Sequence, residues 1–221
     1  MILYDAHTHC SKEKTKDYSV CNLIVRCNSD SEIEPNRLFS IGIHPWYLED
    51  AEQQFKQVKQ MAQLTNCLAI GECGIDKNVS KEVDYQKRIF IKQIQLSESI
   101  RKPLIVHSVR SYSEILNIRK ELQVSQKWLI HSFNSSWQMA ESLLKSGCYL
   151  SVGKLLFHNS SKSKYLIKRI ALERLLIESD EREYSILTYY KAIAALRGIS
   201  LEDLIKIQKK NFENFYNISC S

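Results

Sequence analysis

Near its start the chain reads "YDAHTHC", residues 4 to 10, with His7 and His9 one residue apart. Side chains of a strand alternate between faces, so in an extended segment these two imidazoles share one face. Placed that way they can grip a divalent ion, which then needs further nitrogen or oxygen ligands from elsewhere in the chain. Candidates close other short apolar runs: His44 after "LFSIGI", Glu72 ending "CLAIGE", His107 in "PLIVHS", His131 in "KWLIHS" and Asp180 after "RLLIES". Taken singly, a histidine in such a place is more often a hydrogen-bonded structural group, and a lone glutamate a solvated charge. Together they carry more weight, because of the six histidines only His158, in the polar "HNSSKSK", lies away from such a run. Burying this set without a cation would leave each carboxylate in need of a partner or of a large pKa shift. The residue types therefore predict a metal centre.

Eight apolar runs stand behind these residues: "MILYDA", "NLIVRC", "LFSIGI", "CLAIGE", "PLIVHS", "KWLIHS", "CYLSVG" and "RLLIES". Each is rich in Ile, Val and Leu and nearly continuous in apolar character, the pattern of strands buried on both faces. Between the later runs lie stretches with apolar residues three or four apart, among them "AEQQFKQVKQMAQL", "YQKRIFIKQIQLSESI", "YSEILNIRKEL" and, last, "LEDLIKIQKKNFENFY". That spacing belongs to amphipathic helices. Strands alternating with helices argue for parallel βαβ units, and eight of them for a compact α/β fold of the TIM-like (β/α)8 barrel type, with a doubly wound open sheet as the competitor. In a barrel of this kind chemistry sits at the C-terminal ends of the strands, where the histidines and acids fall. With no linker, repeat or low-complexity segment, residues 1–221 are expected to form a single domain.

Composition narrows the partners. The seven cysteines are scattered, without any C-x-x-C pair, which fits neither a secreted disulfide framework nor a zinc ribbon, so free thiols in a reducing cytoplasm are expected. No apolar run approaches the roughly 20 residues of a membrane span, and the first residues lack a basic segment followed by a long apolar stretch. The formal charge of +6, from 31 Lys and Arg against 25 Asp and Glu, tilts the expectation toward a polyanion such as nucleic acid. Nothing in the sequence points to an obligate protein partner.

The motifs "DAHTHC", "IGIHPW", "AIGECGID", "PLIVHS", "LIHSF" and "LLIESD" appear in the order and approximate spacing of the TatD family of metal-dependent deoxyribonucleases, within the larger amidohydrolase-type barrels. The resemblance spans nearly the whole chain and includes the closing "KKNFENFY". It implies two divalent ions, with His7, His9 and Asp180 on one, His107 and His131 on the other and Glu72 bridging them. His44 then lies close to the site without being a main ligand, either supporting a ligand or contacting substrate. Mg or Mn suits the oxygen ligands, while four histidines equally suit Zn, Ni or Fe.

The resemblance implies DNA as substrate, and a metal pair suits hydrolysis of its phosphodiester, because two cations lower the pKa of a water between them and offset charge on the phosphate. Asp180 would orient that water and accept its proton, with Glu72 holding the ions at the right charge. Trimming of single strands from an end is one form of such activity. A hydrolase of the wider barrel group acting on a small amide, ester or lactone is the alternative. Many binuclear barrels of that group bridge their ions with a modified lysine, and Glu72 argues against this here.

The rim departs from the family pattern. Relatives carry an arginine directly after the His-Ser of the fifth strand, whereas this chain has Val109 and then Arg110. Glu181, Arg182 and Glu183 replace the usual Ala-Pro after the final aspartate, and "SFNSS" replaces an aromatic-Ser-Gly turn. Arg110 and Arg182 are thus the candidate phosphate contacts, with Lys154 as a further cation. Trp46 is the candidate for stacking on a base, a contact worth roughly 1–3 kcal/mol.

Overall fold

The computed structural model describes residues 1–9, 17–26, 36–157, 161–181 and 184–220, with the side chain at 155 excepted. Its strands are β1 (Tyr4–His9), β2 (Tyr18–Ile24), β3 (Phe39–Gly42), β4 (Cys67–Asp76), β5 (Leu104–Val109), β6 (Trp128–Ile130), β7 (Tyr149–Val152) and β8 (Leu175–Ile177). The helices are α1 (Ala51–Met61), α2 (Val83–Ile100), α3 (Tyr112–Glu121), α4 (Trp137–Lys145), α5 (Ser161–Arg169), α6 (Ile186–Arg197) and α7 (Leu201–Tyr216). All eight strands belong to one sheet in which neighbours follow chain order. That order is the (β/α)8 topology, not the shuffled order of a doubly wound sheet. Each predicted run overlaps a strand. The largest offset is at β2, where Tyr18-Ser19-Val20-Cys21 alternates in polarity and so falls outside the apolar run "NLIVRC".

By internal contacts the chain divides into two compact units, Cys21–Leu129 and Met1–Val20 with Ile130–Ser221. In the first, β2, β3, β4 and β5 pair in parallel, from Cys21↔Phe39 at one side to Asp76↔Val109 at the other. All ten residues of β4 are buried, as expected of a strand covered on both faces. Glycine is required where β4 closes on β5: a Cβ at Gly71 would stand 2.3 Å from the Ile105 carbonyl oxygen, and one at Gly74 2.0 Å from that of His107. Helix α2 lays Ile89, Phe90 and Ile94 against this sheet. Phe90 meets Trp128 at 5.6 Å between ring centroids, a contact whose truncation to Ala costs about 3–5 kcal/mol in comparable cores.

Two glutamines on α2, seven residues apart and so on one helical face, tie the helix to strand ends. The Gln93 side chain accepts from the Ile43 N–H at 2.7 Å and donates to the Ile43 carbonyl at 3.1 Å. Gln86 does the same for Asp76, at 2.8 and 3.0 Å. Both are buried, and a buried amide with each half satisfied fixes the backbone it clamps.

The second unit repeats the device. Gln208 of α7 accepts from the Ile177 N–H at 3.1 Å and donates to the Leu175 carbonyl at 2.9 Å, while Asn211 also donates to Leu175 at 2.9 Å. Strands β7 and β8 pair in parallel, Leu150↔Leu175 to Val152↔Ile177. Strand β1 joins the chain just past β8: Asp180 N–H donates to His7 O at 3.0 Å, and His9 N–H to Asp180 O at 2.9 Å. Ser185 and Ser200 cap α6 and α7, accepting from Thr188 N–H and Asp203 N–H, and Gly198 closes α6 in the left-handed region.

Cys67, Cys73, Cys148 and Cys220 are free and buried. Cys21, by contrast, is disulfide-bonded, which corrects the expectation of free thiols throughout; scattered spacing does not disclose which cysteines folding brings together. Among the described residues no helix is long and apolar enough to cross a membrane.

Candidate metal centre

In the unit formed by Met1–Val20 and Ile130–Ser221, β1 places His7 and His9 on one face. The His7 ring is fully buried and that of His9 is 41% exposed. Asp180 Oδ1 lies 3.4 Å from His9 Nε2 and 3.7 Å from His7 Nε2. His131, directly after β6, sets its ring 4.7 Å from that of His7. Donor atoms of His7, His131 and Asp180 all lie within 4.8 Å of one another, close enough to share an ion. Asp180 itself is left-handed, with φ 48°, a conformation Asp tolerates better than most residues. It is kept there by its two backbone bonds to β1, described above, and by Ser179, which donates N–H and hydroxyl to the buried Asp5 carboxylate at 2.9 and 2.5 Å.

Glu178, fully buried on the same segment, accepts from Ser132 N–H at 2.6 Å and from the Ser151 hydroxyl at 2.5 Å. Its Oε1 is 3.8 Å from His131 Nδ1. This carboxylate was not singled out from the sequence, although its spacing from Asp180 repeats that of His7 from His9.

In the unit Cys21–Leu129, Glu72 of β4 meets two imidazoles. Its Oε1 is 2.7 Å from His107 Nδ1 and 3.4 Å from His44 Nε2, and those two nitrogens are 3.3 Å apart. Asn22 of β2 holds Glu72 from the other side, donating to Oε2 at 2.9 Å and accepting from the Glu72 N–H at 3.1 Å. His44 thus stands in donor reach of Glu72 and His107, nearer to them than a rim contact requires.

Asp76 completes this cluster. Its Oδ2 lies 3.1 Å from His107 Nε2 and accepts from Trp46 Nε1 at 2.7 Å, while Oδ1 accepts from Asn78 N–H at 2.8 Å. Burial pushes the Asp76 carboxyl up, yet the bonds from His107, Trp46 and Asn78 outweigh it and hold the group down at about 2. An ionised Asp76 only accepts, so His107 Nε2 carries a proton toward it, and Nδ1 faces Glu72. Two acceptors 2.7 Å apart require positive charge between them, either a proton on Nδ1 or a metal ion. The donor set, imidazole nitrogen with carboxylate oxygen, fits a divalent ion.

The remaining predicted residues fall as follows. Trp46 is 50% exposed, with the edge of its indole bonded to Asp76. Arg110 is exposed just past β5, and Lys154 pairs with Glu181 at 3.4 Å. Arg182 and His158 lie outside the described residues. Cys73, beside Glu72, is fully buried and its thiol is pushed up by burial and then by the Glu72 charge, so it belongs to the core.

Comparison with known proteins shows the family. The family model described as TatD related DNase matches residues 21–217. The chain belongs to the TatD family. Among its relatives, a protein of Buchnera aphidicola described as an uncharacterized metal-dependent hydrolase is 31% identical over 201 residues, covering 83% of this chain and 75% of its own. The human protein named deoxyribonuclease TATDN3 is 24% identical over 255 residues, covering 95% of this chain and 92% of its own. A solved structure of YJJV, a TatD homologue of Escherichia coli, superposes with a TM-score of 0.74 at 21% identity, covering 82% of this chain and 77% of that one. This TatD-family chain therefore shares the family's barrel fold.

Proposed function

We propose that this TatD-family chain is a divalent-metal-dependent hydrolase that cleaves phosphodiester bonds in DNA. The observation that carries the reading is the gathering of metal-ligating donor atoms within 4.8 Å of one another, in His7, His131 and Asp180 and again in His44, Glu72 and His107. Family membership and the name of the human relative support the choice of DNA. His7, His9 and Asp180 would hold one ion, His107 and His131 a second, with Glu72 shared. Divalent ions bound there would lower the pKa of water and neutralise charge on a phosphate.

The protein's own groups have the following parts. Asp180 accepts the proton of the attacking water as its oxygen bonds to phosphorus; the opposite P–O ester bond breaks, and the departing oxygen takes a proton from solvent. Ser179 and the two backbone bonds to β1 hold that carboxylate in place, which supplies orientation instead of leaving it to chance. Asn22 orients Glu72 through both halves of its amide. Arg110, Arg182 and the exposed face of Trp46 offer contacts for phosphate and base.

The test is incubation of the purified protein with Mg²⁺ or Mn²⁺ and labelled single-stranded or duplex DNA, beside Asp180→Ala. Cleavage that is abolished by chelator and reduced at least about 10³-fold in the variant supports the reading. Turnover confined to small amides, esters or lactones would overturn it.

A further inference from the structure

Trp46 donates twice, from two different atoms, to the groups around Glu72. Its backbone N–H reaches His44 Nδ1 at 3.2 Å, and its indole Nε1–H reaches Asp76 Oδ2 at 2.7 Å. The first bond makes Nδ1 of neutral His44 an acceptor and puts that ring's proton on Nε2, the nitrogen 3.4 Å from Glu72 Oε1. Through the second, Trp46 holds the same Asp76 oxygen that lies 3.1 Å from His107 Nε2. The residue sits on a turn closed by Tyr47 N–H to His44 O at 2.9 Å and rooted by the Gln93 clamp on Ile43. One rim residue thus connects both imidazoles that face Glu72.

We propose that Trp46 is a positioning residue: through Asp76 it keeps His107 in the tautomer whose Nδ1 lone pair is turned to Glu72, and so sets the affinity of this cluster for a divalent ion. The inference rests on the metal-dependent reading above, and it gives the indole a task different from stacking. An orienting carboxylate on a ligand histidine, when removed, costs about 10- to 100-fold in metal affinity in comparable sites. Trp46 acts one bond further out, so its share is toward the lower figure.

The discriminating variants are Trp46→Phe, which keeps an aromatic ring and the backbone donor but loses the indole N–H, Asp76→Asn, and the pair combined. Calorimetric titration of the whole protein with Mn²⁺ and ¹⁵N NMR of the histidine ring nitrogens in metal-free protein are the readouts, with thermal melting to verify folding. Expected are a roughly 10-fold loss of Mn²⁺ affinity in Trp46→Phe and a double variant no weaker than Asp76→Asn alone, because both act along one path. The His107 ring of the parent protein should show a protonated Nε2, and that of Trp46→Phe a mixture of tautomers. Unchanged His107 signals with unchanged Mn²⁺ affinity overturn the proposal, as does full additivity in the double variant. A loss confined to DNA binding also overturns it, and would leave Trp46 a stacking residue. If the parent binds no Mn²⁺, the metal-dependent reading fails, and the NMR comparison still decides whether Trp46 positions His107.

Discussion

Ser179 gives both its backbone N–H and its hydroxyl to the carboxylate of Asp5, 174 residues away in the chain, at 2.9 and 2.5 Å. Asp5 lies in the same strand that carries His7 and His9, and Ser179 precedes Asp180. One buried carboxylate therefore sets the register of Asp180 against two imidazoles. Asp5→Ala takes the acceptor from the buried Ser179 N–H, while the Ser179 hydroxyl still has Thr8 Oγ1 at 2.8 Å, and is expected to lower stability by about 1–3 kcal/mol. Urea unfolding measures it; a loss below about 0.5 kcal/mol would show that Ser179 does not depend on Asp5.

Gly74 and Gly198 both have positive φ, but for different reasons. A Cβ at Gly74 would lie 2.0 Å from the His107 carbonyl oxygen, while one at Gly198 meets nothing within 4 Å. Gly198→Ala is expected to cost only about 1 kcal/mol of backbone strain. Gly74→Ala must also push β4 from β5, and a cost above about 3 kcal/mol or insoluble protein is expected. Equal melting temperatures for the two variants would contradict this reading of β4.

Glu98 of α2 accepts from the Ser125 hydroxyl at 2.6 Å and from the N–H of Gln126 at 2.8 Å. Burial raises its carboxyl, yet those bonds win and the group is lowered below its ordinary 4.5. A depressed carboxyl adds stability that is complete above the unfolded value and lost as pH falls through the folded one. Glu98→Gln should therefore be about 1 kcal/mol less stable than the parent at pH 7, with the difference shrinking below pH 4.5. Urea melts at several pH values check it, and a pH-independent difference would refute it.

Burial lifts the Cys67 thiol to about 11, and Cys73, Cys148 and Cys220 are likewise buried. Thiolate, not thiol, is the nucleophile. Iodoacetamide at pH 8 is expected to leave these four unmodified in folded protein and to label them in urea. Mass mapping reads the result, and labelling of Cys67 at a rate typical of an exposed thiol would contradict the packing of β4.

The histidines and Asp180 were legible because a (β/α)8 chain sets its chemistry just past apolar runs, and those runs are conspicuous when both faces of a strand are buried. Asn22, Asp76 and Glu178 were not. Their partners are distant in the chain: Asn22 meets Glu72, and Glu178 meets Ser132 and Ser151. A trace was nonetheless present. Glu72 and Asp76 stand four apart in one strand, so the pair falls on one face by alternation. The expected run "CLAIGE" stops at Glu72, whereas β4 continues to Asp76, because its last residues pair with β5 as far as Asp76↔Val109 and Gln86 clamps Asp76.

Crystals grown with Mn²⁺ and measured at a wavelength where manganese scatters anomalously give the most direct test. Two peaks are expected, one in contact with His7, His9 and Asp180 and one in contact with His107 and His131, both touching Glu72. No peak, or peaks only at surface carboxylates, would contradict the proposal that these six side chains hold a pair of divalent ions.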